Sequence, residues 1–363
     1  MVRNRKGRIA VAMSGGVDSS MAAALLVEEG YEVIGLTMVL SSPEASGAPS
    51  PASGAPGGGM ASRVAAHLGI QHYWIHLHQT FQREIVDHFV TEYQKGRTPS
   101  PCLRCNERIK FGRLLEKAEE LGAAALATGH YARTLWDRGS DRYLLLRGID
   151  PGKDQSYFLS LLKQEQLKKA HFPLGAKTKA EIRLEAKRRG LPVADQEESQ
   201  EICFIPDGDY RRFLESRLGG SIGTPGDIVD LQGNRLGRHQ GLYSYTIGQR
   251  RGLRLPGPRP HYVLALDPAT NRLIAGFEEE LRRSELIVSA VNWFPFPELK
   301  KPVEAWVQIR YRHKAGPAVI FPLEGDRVRV RFQDPQRSVT PGQAAVFYQG
   351  DRVLGGGWIE KAL

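Results

Sequence analysis

The chain has 363 residues, 41% of them hydrophobic and 25% charged, which supports ordinary packed cores and excludes a wholly disordered polymer. At roughly 100–200 residues per domain the length predicts two or three domains, and no run approaches the ~18 apolar residues of a membrane helix. The net charge of +10 points to a polyanionic partner, nucleic acid first, or else to nothing more than a basic surface.

The N-terminus is basic through Arg8, but a strand-like IAVAM follows where a secretory segment needs a longer apolar stretch. A cytoplasmic protein without membrane contact is therefore expected. Three cysteines are too few for a disulfide scaffold and suit a reducing compartment, where any disulfide is transient.

In chain order, Arg8–Met13 reads as a buried strand, Asp18–Glu29 as a helix, Tyr31–Val39 as a strand and Ala61–Leu68 as a helix. Gln71–Leu77 then reads as a strand, Phe81–Tyr93 and Phe111–Leu121 as helices, and Ala123–Thr128 as a strand. This alternation predicts an α/β domain with a doubly wound parallel sheet, and ligands beyond the carboxyl ends of its strands. Ser41–Gly59 is a Pro, Gly, Ala and Ser run with little to bury, expected as a flexible surface loop. Leu161–Gly190 is helical and basic, either a solvated face or a contact to a nucleic-acid backbone. Gly- and Pro-punctuated sequence from Gly219 to Gly257 suggests a small turn-rich central domain. From about Leu286, five or six short period-two runs read as a C-terminal antiparallel β-barrel. The divisions expected are 1–205, 206–280 and 281–363.

The sharpest chemical signal is Ser14-Gly15-Gly16-Val17-Asp18-Ser19-Ser20, between the first strand and first helix. Two glycines let the backbone turn so that its N–H groups face an anion, and the hydroxyls and helix N-terminus add donors. A plain Ser/Gly turn capping a helix is the bland alternative. The loop lacks the Gly-Lys-Ser/Thr of a Walker motif and the glycine spacing of a dinucleotide fold. SGGVDSS after a buried strand resembles the pyrophosphate loop of the N-type ATP pyrophosphatases. That resemblance implies that Ala12, Met13, Ser14, Gly15, Gly16, Val17, Asp18 and Ser19 bind ATP, with Asp18 helping to hold Mg²⁺ on the pyrophosphate.

The cysteine motifs narrow the choice. Gly96-Arg97-Thr98-Pro99-Ser100-Pro101-Cys102-Leu103-Arg104-Cys105-Asn106 and Ser199-Gln200-Glu201-Ile202-Cys203-Phe204 resemble the two cysteine motifs of the tRNA-specific 2-thiouridylases. ATGHY at 127–131, KDQSY at 153–157, YTIGQR at 245–250, Ile309–Arg312 and Pro341-Gly342-Gln343 match in the same order. The resemblance runs from residue 8 to about residue 348. It implies ATP-dependent 2-thiolation of the wobble uridine of tRNA, by adenylation of O2 and sulfur transfer from a persulfide, releasing AMP and pyrophosphate.

In the residues that match, Cys203 carries the persulfide and Cys105 releases the sulfur or closes a disulfide with Cys203. Arg97 and Arg104 stand close enough in sequence to lower a thiol pKa. Met38 and Gly129 fall on adenine-nucleotide positions. His130, Lys153, Asp154, Gln155, Arg310, Tyr311 and Gln343 fall on tRNA-contacting ones, with Arg310 and Tyr311 expected on a barrel strand. The implied partners are wobble-uridine tRNAs with Gln, Glu and Lys acceptors, and a persulfide sulfur donor or carrier protein. Cys102 departs from the pattern and makes a Cys-x-x-Cys pair. Cys102, Cys105 and Cys203 therefore also suit an iron–sulfur cluster carrying the sulfur, an alternative that stays open at this stage.

Overall fold

The computed structural model of the chain describes residues 6–40, 59–196, 202–205, 207–218 and 223–363. The low-complexity run at 41–58, and Ser199, Gln200 and Glu201 of the second cysteine motif, lie outside them. β1 (Lys6–Ala12), β2 (Tyr31–Val39), β3 (Gln71–His76), β4 (Leu126–Ala127) and β7 (Ala170–His171) form a parallel sheet in the order β3-β2-β1-β4-β7. Ile9 and Val11 of β1 pack in one apolar cluster with Met21, Leu26 and Ile182, while Ala10 packs in another with Ile34, Leu36 and Leu103. Neighbouring residues of one strand thus face opposite layers, as a sheet covered on both sides requires.

Helix α1 (Val17–Glu28) follows β1 directly. Its buried face is built largely of Ala22, Ala23 and Ala24, small enough to let it lie close on the sheet. Two later helices are longer than the sequence pattern suggests, because each runs through a π-helical stretch. One passes through His78–Phe81, Gln82–Val86 and Asp87–Gln94; the other through Pro101–Cys105, Asn106–Leu114 and Leu115–Glu120. The strand expected over 123–128 pairs only at Leu126 and Ala127. No helix among the described residues is long and apolar enough to cross a membrane.

The middle of the chain contributes a four-stranded sheet, order β10-β11-β8-β9, from β8 (Gly226–Val229), β9 (Arg235–His239), β10 (Tyr262–Asp267) and β11 (Arg272–Gly276). β12 (Arg282–Trp293), β13 (Val303–Gln308), β14 (Gly316–Pro322), β15 (Val328–Arg337), β16 (Ala344–Gln349) and β17 (Arg352–Ala362) form an antiparallel barrel that β12–β17 pairing closes. β17 carries Gly355, Gly356 and Gly357, which conceal a strand from pattern reading. A Cβ there would lie 2.2 Å from Asn292 O at Gly355 and 2.6 Å from Ser289 O at Gly357, so the closing seam leaves no room for a side chain. The hairpin β5 (Ala132–Asp137) and β6 (Arg142–Arg147) comes from the N-terminal region yet extends the barrel sheet, Leu145 and Leu146 pairing with Val353 and Arg352.

Candidate active site

The loop after β1 is shaped by its small residues. Gly15 has φ +82°, a conformation that favours glycine, and a Cβ there would sit 3.3 Å from Met60 and Ala61. Ser19 Oγ lies 3.2 Å from the Ser14 N–H, which it accepts, and donates to Gly16 O at 3.1 Å; Ser20 Oγ donates to the same carbonyl at 2.9 Å. Gly16 is the N-cap of α1, and it gives no side-chain cap. The hydroxyls thus fasten the loop from inside. Gly129 comes so near that a Cβ would be 2.7 Å from Asp18 C and Ser19 N.

Asp18 is held more tightly than the sequence suggested. Lys179 Nζ donates to both of its carboxylate oxygens, at 2.7 and 2.8 Å, and the Tyr131 hydroxyl donates at 2.8 Å. Both oxygens that would help to hold Mg²⁺ on the pyrophosphate are thus engaged, and the Lys179 ammonium places a positive charge beside them. Lys179 was hidden among the basic residues of 161–190, yet it is 8% exposed. Much of that stretch is neutralised internally: Lys169 pairs with Glu119, Lys177 with Glu185, Lys187 with Asp195, and Arg189 with Glu28.

Beyond the strand ends lies a cavity of about 510 Å³. Ala12, Met13, Ser14, Asp18 and Ser19 of the loop line it together with Met38, Gly129, Cys102, Cys105 and Cys203. Residues 84 to 185 positions apart, counting from Asp18 to Cys102 and to Cys203, are therefore brought to one space. Val17 is buried in the core, so its part in the loop is packing. His130 also lines the cavity but is only 8% exposed; its Nδ1 is 2.7 Å from Thr128 Oγ1, and burial among Phe111 and Phe172 pushes its pKa well down. A neutral His130 meets RNA only if a base enters the cavity.

The three thiols are free. Cys102 and Cys203 are open to the cavity, but the surrounding walls push all three pKa values up, Cys105 to about 12. Arg97 and Arg104 do not offset this, contrary to the sequence reading. Arg97 pairs with Glu92 and reaches Ile359 O, while Arg104 donates to Glu84 O at 2.7 Å. The cation acting on the thiols is Lys110. Among the described residues no three His, Cys, Asp or Glu side chains converge on the position of a single metal ion.

A groove of about 1360 Å³ shares Asp18, Cys102, Gln155 and Phe158 with this cavity and is lined on its outer side by Lys153, Tyr311, Arg312 and Lys314. Tyr311 packs on Phe158 with ring centroids 4.3 Å apart. Asp154 is turned to structure, accepting from Arg147, Gly148 N, Ser156 N and Ser156 Oγ. Gln155 Oε1 accepts from Tyr131 N. Arg310 and Tyr311 sit after β13 ends at Gln308, in the β13–β14 connection and not on a strand. Arg310 is half-buried and reaches Arg337 O and Ser338 O. Gln343 donates to Thr98 O and Pro99 O at 2.9 and 3.2 Å, tying the barrel to the loop before Cys102. Neither Arg310 nor Gln343 is among the described residues lining the groove.

Residues 7–207 match the family model of a tRNA methyl transferase HUP domain, 211–276 that of a tRNA methyl transferase PRC-barrel domain, and 283–359 that of an aminomethyltransferase beta-barrel domain. The chain is 51% identical over 370 residues to the tRNA-specific 2-thiouridylase MnmA of Geobacter metallireducens, covering 100% of this chain and 99% of the relative. It is 50% identical over 357 residues to tRNA-specific 2-thiouridylase MnmA 1 of Caldanaerobacter subterraneus subsp. tengcongensis, covering 98% of each. With the tRNA-specific 2-thiouridylase MnmA of Moorella thermoacetica it shares 50% over 354 residues, 97% of this chain and 99% of the relative.

Proposed function

The chain belongs to the tRNA-specific 2-thiouridylase family, and on that premise we propose that it converts the wobble uridine of tRNA to 2-thiouridine with ATP and a persulfide. The observation that carries this reading is the single cavity joining the SGGVDSS loop to all three thiols. The family-model descriptions speak of methyl transfer, but a cavity walled by three cysteines favours sulfur chemistry.

The uridine O2 attacks the α-phosphate of ATP, pyrophosphate leaves, and C2 acquires AMP as a leaving group. The terminal sulfur of a Cys203 persulfide attacks C2, and AMP departs with the former O2. Cys105 sulfur then attacks Cys203 Sγ; the old S–S bond breaks with its electron pair on the sulfur now attached to C2, which becomes the thiocarbonyl. A Cys105–Cys203 disulfide remains; an external thiol reductant, itself oxidised, returns both cysteines to thiols, and the persulfide donor then reloads Cys203. The Ser14–Ser19 loop and Gly129 position the nucleotide, and Asp18 fixes the loop through Lys179 and Tyr131. Mg²⁺ accompanying ATP would neutralise pyrophosphate charge. The groove carrying Lys153, Tyr311, Arg312 and Lys314 is assigned to the anticodon arm of wobble-uridine tRNAs for Gln, Glu and Lys.

The test is 2-thiouridine formation, read by nucleoside mass spectrometry, from iron-free protein with ATP, Mg²⁺, tRNA and a persulfide donor. Product that disappears in Cys105→Ser and Cys203→Ser supports the relay. Product only after iron and sulfide are restored would move the sulfur onto a cluster, and no product in either case would overturn the assignment.

A further inference from the structure

A thiol that must react as an anion needs a nearby positive charge, and burial among walls works against ionisation of all three thiols here. The candidates supplied by sequence proximity, Arg97 and Arg104, are taken by Glu92 and by Glu84. The helix that bears Cys102 and Cys105 passes into its π-helical stretch at Asn106, and Cys102, Asn106 and Lys110, four residues apart in turn, all line the cavity. Lys110 is partly exposed there, and among the described residues it makes no hydrogen bond or ion pair. The adjacent carboxylate, Glu107, is paired with Arg108. The Asp18 carboxylate, which also lines the cavity, is tied to Lys179.

We propose that the Lys110 ammonium is the counter-ion of the sulfur anion that Cys102, Cys105 or Cys203 carries in this cavity. Its positive charge favours the thiolate of each cysteine and disfavours protonation of His130, the titratable group that the β4–β5 connection places in the same wall. Lys110 makes and breaks no bond. It holds a sulfur as an anion once the proton has left to solvent through the open side of the cavity, and one cation thereby serves each successive sulfur of the relay. The inference deepens the sulfur-transfer reading and rests on it for the relay, but the ionisation itself is measurable without tRNA.

The experiment is alkylation of the intact protein by iodoacetamide across pH 6–10, resolved at each cysteine by mass spectrometry. It compares wild type with Lys110→Met, Lys110→Gln and Lys110→Arg, folding being checked by circular dichroism. Lys110→Met and Lys110→Gln should shift the alkylation profile of at least one thiol up by about one pH unit, a roughly tenfold loss of rate at pH 8, while Lys110→Arg keeps the wild-type profile. Wild-type profiles in all three variants would overturn the proposal. So would Lys110→Arg slowing alkylation as much as Lys110→Met, since packing and not charge would then govern. Wild-type protein that thiolates tRNA while the profiles stay fixed defeats this inference alone; wild-type protein that gives no 2-thiouridine defeats the functional reading and the relay with it.

Discussion

Asp18 and Lys179 are 161 residues apart in the chain, yet the Lys179 ammonium bridges both carboxylate oxygens of Asp18 at 2.7 and 2.8 Å. The pair ties the first turn of α1 to the helix Lys179–Arg188 beside the nucleotide loop. Lys179→Met should therefore lower the unfolding free energy by roughly 1–2 kcal/mol, measured by urea titration, because it leaves the partly buried Asp18 carboxylate without its cation. Asp18→Ala should abolish AMP and pyrophosphate release while leaving tRNA affinity nearly intact. Unchanged AMP release would remove Asp18 from the activation step.

Gly129→Ala tests the close approach at the same corner. The added methyl would meet backbone atoms of Asp18 and Ser19 at 2.7 Å, and backbone cannot turn aside as a side chain can. ATP affinity should fall at least tenfold, with stability reduced by about 1–3 kcal/mol from overpacking. Normal ATP binding by equilibrium dialysis would show that the loop tolerates a wider corner.

Cys105 gives a stability signature on the alkaline side. Its thiol is raised to about 12 by burial, so the folded state keeps a proton that the unfolded chain releases from its ordinary range near 9. The contribution is complete below about pH 9 and is lost as pH climbs toward about 12, near 1 kcal/mol by pH 10. Chemical denaturation at pH 8 and 10 should fall less steeply in Cys105→Ala than in wild type. Parallel losses in the two proteins would place the thiol in a wetter setting.

Gln343 separates fastening from RNA contact. Gln343→Ala removes two hydrogen bonds to the Thr98–Pro99 backbone and should cost about 1–2 kcal/mol while leaving the salt dependence of tRNA binding unchanged. A reduced salt slope in filter binding would return Gln343 to the RNA surface.

Lys314 is the complementary case. It is exposed and lines the groove, so Lys314→Ala should weaken tRNA binding and lower the salt slope by about 1. Arg310→Ala, which removes contacts to Arg337 O and Ser338 O, should act mainly on barrel stability. The opposite pattern in the two variants would exchange their assignments.

The local signals were legible because they are local. The apolar runs around β1, α1 and β2 place those elements within a residue or two, and Tyr31–Val39 matches to the residue. Five of the eight nucleotide-loop positions named from the motif (Ala12, Met13, Ser14, Asp18 and Ser19) and all three cysteines line the one cavity, whereas Gly15, Gly16 and Val17 do not, and Val17 is buried in the core. What stayed hidden depends on distant partners. Lys179 reads as one more surface lysine until the fold delivers Asp18 to it, and Lys110 as one more helix cation until the fold brings Cys203 to the same cavity. β17 was masked because its three glycines answer to strands across the seam and not to their own neighbours.

The loop from Gly96 to Pro101 is gripped from two other parts of the molecule. A Cβ at Gly96 would meet Pro268 of the middle sheet's β10–β11 turn at 2.8 Å, while the Thr98 N–H donates to Pro341 O and Gln343 holds Thr98 O and Pro99 O. The cysteine helix is therefore suspended from supports that lie outside the sheet that carries it. Trimming the chain to its N-terminal portion would not yield a smaller catalyst awaiting an RNA adaptor, but one whose reactive sulfurs have lost their alignment.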